Sequence, residues 1–113
     1  LFKFFSKSVT YEDVTKHKPY PDAYKLALKL SNQPPSNCIA IEDSRIGVIA
    51  AKAANLNCIL TLPPWTSSFI NTNINADACV DSLGNKSNFS KLIYGKPLIN
   101  NYVDYAYLTN IIN

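Results

Sequence analysis

Two short apolar runs decide the fold: Cys38-Ile39-Ala40-Ile41, and Cys58-Ile59-Leu60-Thr61-Leu62 twenty residues later. Each is rich in isoleucine or leucine and bounded by turn residues, as a strand buried on both faces would be. Between them Val48 to Ala54 is alanine-rich and reads as a helix, and Ser44 to Gly47 reads as a loop. Asn55 stands at the helix exit, where a left-handed residue ends many helices. Strand, helix and strand within 25 residues make a compact βαβ unit, which requires a parallel pair joined by a right-handed crossover.

Working outward, Lys18-Pro19-Tyr20-Pro21-Asp22 precedes a second helical pattern. A proline biases the residue before it towards extended backbone, so the helix starts at Pro21 or Asp22. Ala23, Leu26, Ala27 and Leu30 then repeat at helical spacing, and Pro34-Pro35 closes the element. The order α-β-α-β predicts an α/β fold, an open parallel sheet with helices on both faces. Ala78 to Val80 reads as a third short strand. Asp104 to Ile112, with Tyr105, Leu108 and Ile112 in register, reads as a terminal helix. Thr66 to Asn75 and Asn85 to Asn101 are polar and weakly patterned.

The chain has 113 residues, 47% of them hydrophobic and 17% charged, with a net charge of +3. That is the composition of one globular domain or a part of one. Scattered lysines with so small a charge do not point to nucleic acid. No apolar run approaches the roughly 18 residues of a membrane helix. Cys38, Cys58 and Cys79 are odd in number and widely spaced, so they suggest neither a disulfide framework nor zinc. They read as structural thiols in a reducing compartment, the cytoplasm or a plastid stroma. The chain has no methionine and opens on Leu1, and is therefore expected to be part of a longer polypeptide.

Chemistry points to two places. Glu42-Asp43 directly follows the first strand, and ligands of open α/β sheets bind beyond the carboxyl ends of the strands. Oxygen ligands of this kind suit Mg²⁺, which often takes one or two carboxylates with substrate phosphate and water. The simpler reading is that Asp43 or Ser44 caps the helix that follows. Lys18, in a rigid Pro-x-Pro context before Pro19 and Pro21, could neutralise a phosphate or a phosphorylated carboxylate as charge develops. Its simpler reading is a solvated surface charge.

Taken together, Lys18-Pro19-Tyr20-Pro21-Asp22-Ala23-Tyr24, then Cys38-Ile39-Ala40-Ile41-Glu42-Asp43-Ser44-Arg45-Ile46-Gly47, then Ala50-Ala51-Lys52-Ala53-Ala54 resemble the haloacid-dehalogenase-like hydrolases. The resemblance is strongest to the branch of β-phosphoglucomutase and the CbbY-like sugar phosphatases. It implies a Rossmann-like core and a Mg²⁺-dependent phosphatase acting on a sugar phosphate or bisphosphate through an aspartyl-phosphate. It makes Lys18 the lysine that stabilises the nucleophile and phosphoryl group, Asp43 a Mg²⁺ ligand and Glu42 a ligand or its support. Ser44 and Arg45 match the motif with supporting roles at best. The tail, with Pro63-Pro64-Trp65, Asp77 to Gly84, Gly95-Lys96-Pro97 and Val103-Asp104-Tyr105, looks like CbbY-like proteins of photosynthetic organisms. Ordinary sheet edge and terminal helix would explain the same residues.

The family's nucleophile comes from a D-x-D motif, and no two aspartates here stand two apart. The expectation is therefore the C-terminal part of the core domain, residues 1–113, without the nucleophile strand or the cap domain, and inactive alone. A mutase of the same branch and a non-catalytic α/β metal-binding module are the alternatives.

Overall fold

The computed structural model describes residues 2–62, 65 and 74–113. Helix α1 spans Asp22–Ser31, strand β1 Ile39–Glu42, helix α2 Arg45–Ala53 and strand β2 Asn57–Thr61. Strands β3, Ala78–Val80, and β4, Leu92–Gly95, follow before helix α3, Tyr105–Ile112. Short 3-10 turns at Phe2–Phe4, Tyr11–Asp13 and Pro35–Asn37 complete the described elements. None of the described helices is long and apolar enough to cross a membrane.

The four strands form one sheet in the order β1-β2-β3-β4. β1 pairs parallel with β2, Ile39 opposite Asn57 and Glu42 opposite Leu60. β2 pairs parallel with β3 from Ile59–Ala78 to Thr61–Val80. The expected α/β sheet is thus present, with β3 at its expected bounds. β4 adds an antiparallel edge strand, its register broken beside Val80, that the polar pattern around it did not disclose.

Alternation along the strands builds two cores. Cys58 and Leu60 face Ala40, Val48, Ala51, Ala54 and Cys79, with Tyr24 and Leu28 of α1 packed against them. Ile59, between them in sequence, faces Ala78, Val80, Tyr107 and Ile111. Helices α1 and α2 therefore cover one face and α3 the other, as a strand with side-chain period two requires.

The helix ends follow their sequence. Helix α1 begins directly after Pro21, and its exit residue Asn32 is left-handed at φ 53°. Asn55 is left-handed at φ 61°, in the exit role expected of it. Ser44 extends at φ −141° and its Oγ accepts the Gly47 amide at 3.2 Å. That bond starts α2 at Arg45, so the expected loop over Ser44 to Gly47 is instead a cap and the first helical turn. Asp104 caps α3 in the same way through Tyr107. Asp77 joins layers: its Oδ2 accepts Lys52 Nζ at 2.6 Å and the Cys58 amide at 2.7 Å. The Pro63-Pro64 stop after β2 and residues 66–73 of the polar stretch lie outside the described residues.

Candidate functional site

Glu42 is the last residue of β1, and the chain turns at once through Asp43 and Ser44 into α2. Glu42 is buried at 6% relative exposure, whereas Asp43 is exposed. A carboxylate in that position needs partners, because an unpaired buried charge is costly.

Its partners come from the loop and helix before β1. Lys18 Nζ lies 2.5 Å from Glu42 Oε1, with the lysine side chain 40% exposed and that of Glu42 5%. The Tyr24 hydroxyl, from the first turn of α1, donates to the same oxygen. The lysine ammonium also stands 5.7 Å from the Tyr24 ring centroid, within the range of cation–π attraction. On its other side the carboxylate rests on Gly47, so closely that a Cβ there would lie 1.9 Å from Oε2. Thr61 Oγ1 donates to the Glu42 carbonyl at 3.3 Å and ties this corner to β2.

Electrostatics agree with the burial. Desolvation pushes the Tyr24 phenol well above its ordinary value, and the Glu42 carboxylate it donates to raises it further. The phenol is therefore a donor at every physiological pH. Burial likewise pushes the Cys58 thiol up to about 12 and the Cys79 thiol up to about 11. Both are neutral structural groups, since the thiolate is the reactive form.

Lys18 and Glu42 thus meet at the carboxyl end of β1, with Asp43 next in the chain. A cavity of about 370 Å³ adjoins Lys18, lined by Val9, Thr10, Tyr11, Val14, His17, Ala23 and Ile46. Tyr11 and His17 stack on its wall with ring centroids 3.6 Å apart. Among the described residues no group of three or more His, Cys, Asp or Glu is placed to hold a metal ion. Asp43, an exposed carboxylate with no ion pair among those residues, fits the demand of Mg²⁺ for one or two carboxylates beside phosphate and water. Glu42 is turned inward to Lys18, Tyr24 and Gly47 and fits a supporting place better than direct ligation. Ser44 caps α2, and Trp65 is 81% exposed.

Tyr24 and Gly47 are site residues the sequence reading did not single out. Tyr24 lies off the expected stripe of Ala23, Leu26, Ala27 and Leu30, yet it packs on the core with Leu28 while Leu30 is 43% exposed. Gly47 had a signal: glycine within the first turns of a helix costs roughly 1 kcal/mol against alanine, so its presence there points to a close neighbour.

The family model for "Haloacid dehalogenase-like hydrolase" matches residues 1–61. A CBBY-like protein of Arabidopsis thaliana is 44% identical over 71 residues, 63% of this chain and 22% of that protein. Protein CbbY of Rhodobacter capsulatus is 44% identical over 55 residues, 49% of this chain and 24% of its own length. The chain thus spans less than a quarter of these curated relatives. The crystal structure of CbbY from Rhodobacter sphaeroides in complex with phosphate superposes with a TM-score of 0.55 at 39% identity, over 63% of this chain and 31% of that one. A mutant of that CbbY in complex with xylulose-(1,5)bisphosphate gives 0.55 at 35% identity, over 67% and 34%. The match over residues 1–61, with Lys18, Glu42 and Asp43 inside it, shows that this chain belongs to the haloacid dehalogenase-like hydrolase family.

Proposed function

We propose that this chain forms the C-terminal part of the core domain of a CbbY-like phosphatase acting on a sugar phosphate or bisphosphate. The observation that carries the reading is the Lys18–Glu42 pair, 2.5 Å apart at the carboxyl end of β1, with Asp43 exposed beside it. The binding of xylulose-(1,5)bisphosphate by a CbbY neighbour supports the substrate class. A relative of Bacillus subtilis named "Putative phosphatase YhcW", 43% identical over 60 residues, supports the reaction type.

In this reading Asp43 would hold Mg²⁺, with Glu42 behind it, and the ion would supply positive charge against the phosphate oxygens. Lys18 stabilises the negative charge that builds on the phosphoryl group and its attacking carboxylate. Glu42 keeps the lysine aimed, its Oε1 lying 2.5 Å from the ammonium. Phosphoryl transfer asks a protein mainly for positioning and electrostatic stabilisation, and these residues supply the cationic part. The attacking aspartate belongs to the polypeptide outside residues 1–113. Its oxygen bonds to phosphorus as the bond to the sugar oxygen breaks. The sugar oxygen takes a proton from water as it leaves, and a second water then attacks the phosphorus, breaking its bond to the aspartate and releasing inorganic phosphate and the free carboxylate.

The test is phosphate release by the polypeptide that carries these residues, with xylulose 1,5-bisphosphate and glucose 1-phosphate as substrates. Turnover on the bisphosphate that chelation of Mg²⁺ abolishes is the expected result. Interconversion of glucose phosphates without phosphate release would make the protein a mutase. Mg²⁺ binding without turnover on any phosphate ester would make it a non-catalytic module.

A further inference from the structure

We propose that Tyr24 is a positioning residue for Lys18, acting through the Glu42 carboxylate. The inference rests on the phosphoryl-transfer reading above and names the side chain that aims its cation. One carboxylate oxygen, Glu42 Oε1, takes both the Lys18 ammonium and the Tyr24 hydroxyl. The two donors come from different elements, Lys18 from the loop before α1 and Tyr24 from its first turn.

A single lysine–glutamate pair is a poor aiming device. The lysine stem is long and rich in rotamers, and the terminal torsion of glutamate is broad and nearly two-fold. Here that torsion is closed from two sides. Gly47 receives Oε2 at its Cα, and the Tyr24 hydroxyl fixes Oε1. The carboxylate plane is thereby set before the lysine binds it. The Tyr24 ring then stands 5.7 Å from the ammonium and limits its swing on the remaining side.

A core tyrosine would pack as well, because Tyr24 also rests against the cluster around Cys58 and Leu60. Tyr24→Phe separates the two roles, since it keeps the ring and its packing and removes only the hydrogen bond. The experiment uses the polypeptide as the cell makes it, as wild type, Tyr24→Phe, Lys18→Ala and the double variant. The first readout is the solvent-exchange rate of the Lys18 ammonium protons, followed by nitrogen-15 NMR with Lys18→Arg assigning the signal. Tyr24→Phe is expected to speed that exchange at least about threefold, because the pair opens more often. An unchanged rate overturns the proposal.

The second readout is kinetic. Tyr24→Phe is expected to lower kcat about three- to tenfold and leave KM within about twofold, the sign of an interaction felt in the transition state. In the Lys18→Ala background the same substitution should cost nothing further. The full loss in that background, or a lower melting temperature with unaltered exchange and kcat, assigns Tyr24 to packing and overturns the proposal. A polypeptide that releases no phosphate refutes the phosphatase reading alone, and the NMR rate still decides the role of Tyr24.

Discussion

Gly47 and Glu42 occupy one space: a Cβ at position 47 would lie 1.9 Å from Glu42 Oε2 and 2.3 Å from its Cδ. The glycine is helical and ordinarily weakens a helix. It is tolerated because the first turn of α2 forms the floor under the carboxylate that holds Lys18. Gly47→Ala therefore sets two effects against each other. Helix propensity favours alanine by roughly 1 kcal/mol. Overpacking against a buried, paired carboxylate costs about 1–3 kcal/mol, and displacing Glu42 also parts it from Lys18 and Tyr24. The expected net result is a loss of stability of about 1–2 kcal/mol in urea denaturation, with lower turnover. A gain in stability would mean that Glu42 does not rest on this turn.

Glu42→Ala removes the acceptor shared by Lys18 and Tyr24. Breaking a fully buried pair costs about 3–5 kcal/mol, but the lysine side chain is 40% exposed and water screens what remains. A loss of about 1–3 kcal/mol is expected, with Glu42→Gln at the lower end because its amide oxygen still accepts one donor. Chemical denaturation of the three proteins side by side measures it.

Asp43→Asn should behave oppositely. The residue is exposed and the cap of α2 is made by Ser44, so stability should shift by less than about 0.5 kcal/mol. Mg²⁺ affinity, measured by calorimetry, should fall at least about tenfold on loss of the anionic ligand. Turnover should fall with it. Unaltered Mg²⁺ affinity would remove Asp43 from the metal site.

The buried thiols and phenols set the alkaline limit of the fold. Cys58 moves from an ordinary 9.0 to about 12, Cys79 to about 11, and Tyr24, Tyr94 and Tyr107 are also raised. Burial is the leading cause in each. Above about pH 9 the unfolded chain loses these protons while the folded chain keeps them, so the unfolded state binds fewer protons and stability falls as pH rises. The contribution is whole below pH 9 and declines between roughly pH 9 and 12. The urea midpoint should therefore drop steadily from pH 9 to 11. In Cys58→Ala, which starts lower because of its cavity, the drop should be shallower. Equal slopes would show that Cys58 ionises freely in the folded chain.

Six elements were legible in the sequence for clear physical reasons. Prolines fixed the boundaries of α1 and Asn55 the exit of α2, whose start at Arg45 was read as loop, and isoleucine-rich runs marked β1 and β2. β4 was not legible, because Leu92 to Gly95 carries no alternating pattern of its own. It is placed instead by distant contacts: Gly95 approaches so closely that a Cβ would lie 2.4 Å from the Asp77 carbonyl oxygen, and the Tyr94 hydroxyl donates to the Ile74 carbonyl. At the site, Lys18, Glu42 and Asp43 were visible through the family resemblance of their motifs. Spacing alone did not pair a lysine with a glutamate 24 positions away. Tyr24 stayed hidden because it lies off the stripe of Ala23, Leu26, Ala27 and Leu30, while its ring packs on the core and its hydroxyl serves the carboxylate.

In the proposed phosphatase Lys18 neutralises phosphoryl charge, and the nucleophile lies outside residues 1–113. The most direct measurement is phosphate release from xylulose 1,5-bisphosphate with Mg²⁺, comparing the 113-residue chain, the longer polypeptide and its Lys18→Ala variant. Catalytic groups acting as a unit fail together when one is missing. The expected result is no turnover by the 113-residue chain, turnover by the longer polypeptide, and a fall in kcat of at least about a hundredfold in Lys18→Ala. Sustained turnover by the 113 residues alone, or a Lys18→Ala enzyme as fast as its parent, would contradict it.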